Sequence, residues 1–151
     1  EMDDFSIKPG VPNMYGAVGG EANAIKAGKR MLSSMTPTLV LKDGKPYIVV
    51  GTPGGTTIPT QVFQTLVNIL EFNMSTEDAV YKPKFHHQWL PDEVMIEKGF
   101  PVAVKEAMQK MGYSFSRERG GIGRTECIRV LPNGKFEAVA DNRGDDAAEG
   151  Y

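Results

Sequence analysis

A chain of 151 residues suffices for one compact domain with one core, but hardly for two. Its formal net charge of -2 leaves no extended basic surface to neutralise phosphates, which argues against nucleic acid or an acidic membrane surface as partner. The single cysteine, Cys127, excludes an intrachain disulfide and a cysteine-rich zinc site, and no apolar run approaches the length of a membrane span.

No charged stretch followed by an apolar one opens the chain, so the sequence reads as soluble, with any export signal elsewhere. Glu1 is not an initiator methionine, and Glu1-Met2-Asp3-Asp4-Phe5 reads like the middle of a folded segment; a fragment or a processed chain is expected. From Lys8 to Gly20 the prolines and glycines of KPGVPNMYGAVGG leave no room for a helix or a paired strand, and predict an exposed loop whose length suits a lid or binding loop and equally a plain surface loop. Asp43-Gly44 between Thr38-Leu39-Val40-Leu41 and Tyr47-Ile48-Val49-Val50 predicts a hairpin, and the apolar character of both runs predicts that it is buried. Val62, Leu66, Ile69 and Leu70 lie at helical spacing within 58–72, and Ser75-Thr76-Glu77-Asp78 has capping-box form ahead of a second helix that Pro83 stops.

Val94-Met95-Ile96 predicts a short strand. Pro101 and Gly112 bracket a helix from Val102 to Met111. Cys127 to Val130 and Phe136 to Val139, joined through Pro132-Asn133-Gly134, predict a last hairpin. This order predicts an α+β architecture of antiparallel strands covered by helices, without internal repeats.

Three stretches beside these strands carry polar or glycine-rich chemistry. Glu1 to Asp4 places three acids in four residues, suited to a cation or a ligand ammonium and equally to a solvated turn. Ser33-Ser34 can donate two hydroxyls to one carboxylate, although serines before a strand also serve as caps and turns. In Gly51-Thr52-Pro53-Gly54-Gly55-Thr56 the paired glycines allow close backbone approach, and N–H groups near a helix start can stabilise an oxyanion. No lysine follows as in a nucleotide loop. His86 and His87 beside Asp92 and Glu93 suggest a metal, but neighbours on an extended chain point to opposite faces, which favours structural roles. Nothing near Cys127 orients a thiol-based site, and it reads as a small strand residue.

Taken together, MDDF, KPG-x-P-N-x-Y-G, GGEANAI, GKRMLSSM-x-PT, G-x-PGG, and FHHQWLPDE followed by EKGF resemble the γ-glutamyltranspeptidase (glutathione hydrolase) small subunit. The likeness is dense from Glu1 to Phe100, thins through the next helix and hairpin, and returns weakly over 141–151. It implies an N-terminal nucleophile hydrolase, an αββα sandwich in which self-cleavage of a precursor exposes a catalytic threonine. That threonine would precede the MDDF motif, so 1–151 would be the C-terminal part of the small subunit and inactive by itself. Internal threonines such as Thr36, Thr52 and Thr56 have no free α-amine to act as base.

The resemblance assigns Asp4, assisted by Glu1, to the α-ammonium of the γ-glutamyl group, and Ser33 and Ser34 to its α-carboxylate. It assigns Gly54 and Gly55 to the oxyanion hole, residues 8–20 to a lid, and Tyr15 to its gate. It implies a large subunit from the same precursor that contributes an arginine, glutathione or related γ-glutamyl donors, amino-acid, peptide or water acceptors, and no cofactor or metal. Periplasmic or extracellular placement follows from the resemblance only. Two rivals remain: a cephalosporin-type glutaryl acylase, against which Asp4 with the serine pair argues, and a non-catalytic homologue or fragment that only binds or packs.

Overall fold

Asp43 and Gly44 both adopt positive φ, 52° and 74°, the geometry of the tight turn whose twist matches antiparallel strands. The turn joins β1 (Thr38–Lys42) to β2 (Lys45–Gly51). The computed structural model describes residues 4–150. Next come α1 (Ile58–Leu70), α2 (Thr76–Tyr81), the two-residue strands β3 (Phe85–His86) and β4 (Met95–Ile96), α3 (Val102–Lys110), β5 (Glu126–Val130) and β6 (Phe136–Val139). The strands form one sheet in the order β1-β2-β5-β6, antiparallel throughout, and a separate β3-β4 pair. Ser75 caps α2 as expected, its Oγ accepting from the Asp78 N–H at 3.0 Å. The structure pairs Phe85 with Ile96 and His86 with Met95, where the sequence shows residues 85–89 only as extended chain.

Period-two alternation sorts the four-stranded sheet into two faces. Ile48, Val50 and Cys127 point to the side covered by α1 and α2, where they pack with Ile58, Val62, Ile69, Ala79 and Val80. Each fully buried Val or Ile here contributes about 1.5–3 kcal/mol. The opposite face carries Leu39, Val49 and Ile128 in one cross-strand row, with Leu41 and Phe136 near it, all exposed. The expected burial of the first hairpin therefore holds for one face only: the helices cover a single side. Of the expected αββα sandwich, the described residues form one helical layer and one sheet. Leu70, placed on the buried stripe by spacing, is 42% exposed, and α3 buries none of its residues and adds nothing to that layer.

A buried charge cluster ties the C-terminal segment beneath α2. Glu97, 2% exposed, accepts from Arg143 Nε at 2.7 Å and Nη2 at 2.6 Å and from the Lys84 N–H at 2.7 Å. Asp141, 1% exposed, accepts from Arg143 Nη1 at 2.8 Å and from the Thr125 N–H at 2.7 Å. Lys84 is equally buried and donates through Nζ to the Ala79 carbonyl at 2.6 Å. Burial, reinforced by the Arg143 charge and opposed by Asp141 and Glu97, lowers its ammonium from 10.5 to about 8. Because the folded value lies below the unfolded one, the unfolded chain binds more protons between about pH 8 and 10.5, and this group's contribution to stability rises across that window. Holding Lys84 charged at neutral pH costs on the order of 3 kcal/mol. Denaturant titrations of the full-length protein at stepped pH should show the rise in wild type and a flatter profile in Lys84→Met; parallel profiles would refute it.

Candidate functional site

One side chain holds the first two polar stretches together. Asn23, in a single helical turn at Glu21–Asn23, donates through Nδ2 to the Asp4 carbonyl at 2.6 Å and accepts at Oδ1 from the Leu32 N–H at 2.9 Å. The Ser6 N–H donates to the Asn23 carbonyl at 3.0 Å, and Phe5 is buried beside it. Asp4, half-buried, thus stands near the serine pair. Asp4 and Ser34 line one cavity of about 420 Å3, together with Asn23, residues of the 8–20 loop and Thr56. Ser33 is exposed and does not line it; its Oγ accepts from the Met35 N–H at 3.2 Å in a local turn. Glu1, the other expected cation ligand, lies outside the described residues.

The third stretch leaves β2 and enters α1 through a short helical turn at Gly55–Thr57. Gly54 has φ of 148°, and a Cβ there would lie 2.5 Å from Thr57 Oγ1 and 2.8 Å from Gln61 Nε2. Gln61, fully buried on α1, donates to Thr57 Oγ1 at 2.6 Å and accepts from the Thr52 hydroxyl at 2.9 Å, bracing both ends of the turn. Thr57 in turn donates from both Oγ1 and N–H to the Gly54 carbonyl, at 2.9 and 3.1 Å. Among the described residues no side chain caps this turn.

The 8–20 loop is exposed and shaped by its own backbone. Gly10 N–H donates to the Gly19 carbonyl at 2.8 Å, and Asn13 Oδ1 accepts from the Tyr15 and Ala17 N–H groups at 2.9 and 3.0 Å. The Tyr15 ring lies over the glycine turn, with its Cδ1 and Cε1 each 3.0 Å from where a Gly55 Cβ would stand. A second cavity, about 380 Å3, opens on the Tyr15 side of Thr56 and is lined by Gly54, His86, Gln88, Glu93 and Arg119.

The histidine pair does not converge. His86 is buried between Thr60 Oγ1 at Nδ1, 2.8 Å, and Gln88 Oε1 at Nε2, 2.9 Å; His87 Nε2 instead meets Asp92 at 3.0 Å near the surface. Burial first, with the charges of His87 and Arg119, holds His86 below the usual histidine range against the opposing Gln88 bond. Cys127 is buried, and burial first and Glu137 second push its thiol up to about 11, so it is a poor nucleophile.

The structure therefore sets Asp4 and Ser34 on one cavity and Tyr15 and Gly54 on a second that shares Thr56 and Met14 with it, while Gly55 lies under the Tyr15 ring and lines neither. Asn23, Gln61 and Gln88 escaped the sequence reading. For Gln61 a signal existed: an uncharged polar residue on the inward face of α1, one position before Val62.

All 151 residues match the family model for gamma-glutamyltranspeptidase. The glutathione hydrolase proenzyme of Escherichia coli strain K12 is 47% identical over 152 residues, covering 100% of this chain and 26% of that protein. A threonine-to-alanine mutant of Helicobacter pylori gamma-glutamyltranspeptidase superposes with a TM-score of 0.90 at 53% identity, over 95% of this chain and 79% of the other. The Pseudomonas nitroreducens gamma-glutamyltranspeptidase complexed with L-DON gives 0.91 at 42% identity, over 100% and 79%. The chain spans about a quarter of the length of the curated relatives it matches. Dense identity along the chain and a shared arrangement of sheet and helices lead to one conclusion: the chain belongs to the gamma-glutamyltranspeptidase family of N-terminal nucleophile hydrolases.

Proposed function

We propose that the protein to which this chain belongs hydrolyses and transfers γ-glutamyl groups from glutathione and related γ-glutamyl amides, through a γ-glutamyl-threonine ester. The observation that carries this reading is the single cavity lined by Asp4 and Ser34 and reaching Thr56 beside the glycine turn. A carboxylate and a hydroxyl donor lining one pocket suit the α-ammonium and α-carboxylate of one amino acid. Such a pocket favours a γ-glutamyl over a glutaryl group, which has no ammonium for Asp4 to hold. Ser33 joins Ser34 in this role by turning its hydroxyl from the Met35 N–H, and Glu1 assists Asp4.

The chemistry divides between this chain and groups outside it. A threonine hydroxyl attacks the γ-carbonyl carbon while its own α-amine takes the proton; none of the internal threonines of 1–151 has that amine. The Gly54 and Gly55 N–H groups stabilise the oxyanion, an effect in which one donor is typically worth about 10²–10³ in rate. The C–N bond then breaks, the amine departs with the proton, and the ester passes to water or to an amino-acid or peptide amine. Residues 8–20 form the lid and Tyr15 its gate, excluding water while the ester stands. The partner is a large subunit cut from the same precursor, supported by the proenzyme names of the relatives and by the uncovered apolar sheet face. Periplasmic or extracellular placement rests on the family alone; no described helix is long and apolar enough to cross a membrane.

Three outcomes follow for the processed enzyme. Asp4→Ala lowers kcat/KM for a γ-glutamyl anilide by about 10² or more while leaving a glutaryl anilide little changed, because only the former has an ammonium to lose its partner; an equal effect on both removes Asp4 from that role. Tyr15→Ala alters the ratio of hydrolysis to transfer to glycylglycine, and an unaltered ratio sinks the gate assignment. Ile128→Glu places a charge at the centre of the open sheet face and lowers the yield of associated large and small subunits on size exclusion; undiminished association means another surface joins them.

A further inference from the structure

We propose that Gln88 is a positioning residue that fastens the 8–20 loop over the glycine turn; the inference rests on the reading of that loop as a lid. Gln88 follows β3 and its carboxamide meets four partners. Nε2 donates to the Tyr15 carbonyl at 3.2 Å and to the Leu90 carbonyl at 3.1 Å. Oε1 accepts from the Thr56 hydroxyl at 2.8 Å and faces His86 Nε2 at 2.9 Å. Reversing the amide would set its oxygen against two carbonyls, so the surroundings fix its orientation.

That orientation fixes the histidine as well. Oε1 can only accept, so His86 carries its proton on Nε2, and a neutral ring then accepts at Nδ1 from the Thr60 hydroxyl of α1. Thr60 has one proton, which goes to Nδ1 rather than to the Thr57 carbonyl 2.9 Å away. An unbroken series thus runs from α1 through Thr60, His86 and Gln88 to two destinations, the lid backbone at Tyr15 and the glycine turn at Thr56. Backbone shape makes the contact possible: Gly16 has φ of 75°, and a Cβ there would stand 3.4 Å from Gln88 Nε2. The bond to Tyr15 involves its main chain, so it places the ring over Gly55 without depending on the phenol.

The test is ¹⁹F NMR on the processed enzyme labelled with 3-fluorotyrosine, the Tyr15 resonance being assigned by its loss in Tyr15→Phe. Gln88→Leu removes every bond; Gln88→Glu retains acceptor oxygens for Thr56 and His86 but has no N–H for the lid. In both, the population with the Tyr15 ring displaced from Gly55 should rise about three- to tenfold, the effect of losing one or two ordinary hydrogen bonds, while the other tyrosine resonances stay in place as a check on folding. If Gln88→Leu does not fold, Gln88→Glu alone decides. An unmoved Tyr15 resonance in a folded variant overturns the latch, whatever the activity. A shifted resonance with normal hydrolysis and transfer of γ-glutamyl anilide upholds the latch and shows instead that the catalytic reading of the lid is wrong.

Discussion

Between Gly51 and Thr57 the chain must leave a strand buried on one face and enter a helix within a few residues, and this turn constrains most of what surrounds it. A side chain at Gly54 would collide with Thr57 and Gln61, the two residues whose hydrogen bonds hold the turn. Gln61 tolerates complete burial because Thr52 and Thr57 satisfy it, and it closes so tightly on Gly123 that a Cβ there would overlap its amide. The Arg124 N–H reaches Thr52 Oγ1 at 3.1 Å, so the segment entering β5 is held to the same turn. Rigid strands and α1 thereby fix the glycines, which suits groups that must be in place before charge develops on a substrate.

Charge and apolar surface divide the rest of the fold. The sheet buries one face under α1 and α2 and leaves Leu39, Val49 and Ile128 aligned on the other. An uncovered apolar row of this kind is costly in water and suits a face that meets another layer. Beneath α2, Arg143 spans Glu97 and Asp141 and also donates to the Val80 and Lys82 carbonyls at 3.0 and 3.1 Å. These bonds serve helix-end carbonyls that have no partner within α2, and so the buried cluster is also a C-terminal cap. Its weak member is Lys84, whose ammonium has a single hydrogen bond and the two acids as counter-charges.

What could be read in the sequence was what short range decides. Asp43-Gly44 gave the hairpin, Ser75 the cap, Pro101 and Gly112 the limits of α3, because turn and cap chemistry is local. Which face of the hairpin is covered was not legible: Leu39 and Ile48 are equally apolar, and only the direction in which α1 folds back separates them. The glycine turn and Asp4 could be singled out from residue type and order, and their meeting around adjoining cavities could not. That meeting depends on Asn23, which is nineteen residues from Asp4 and nine from Leu32, and on Gln88, seventy-three from Tyr15. Amide side chains of this kind carry no charge or spacing by which to notice them, and their role arises from tertiary contact alone.

On the proposed reading, the two cavities sharing Thr56 are the two sides of one reaction. The donor's glutamyl end occupies the side of Asp4 and Ser34, and whatever accepts the acyl group must come near the glycine turn, where Tyr15 now lies over Gly55. The loop is braced internally, with Gly10 closing on Gly19 at its base and Asn13 holding its tip. Opening then costs mainly the contacts of Tyr15 with Gly55 and with Gln88, two interactions of modest strength. On the same reading, a closure this light suits an enzyme that must seal an ester from water yet admit the larger amine of an amino acid or peptide within the same turnover. Tighter closure would protect the ester and delay the acceptor; looser closure would surrender it to hydrolysis.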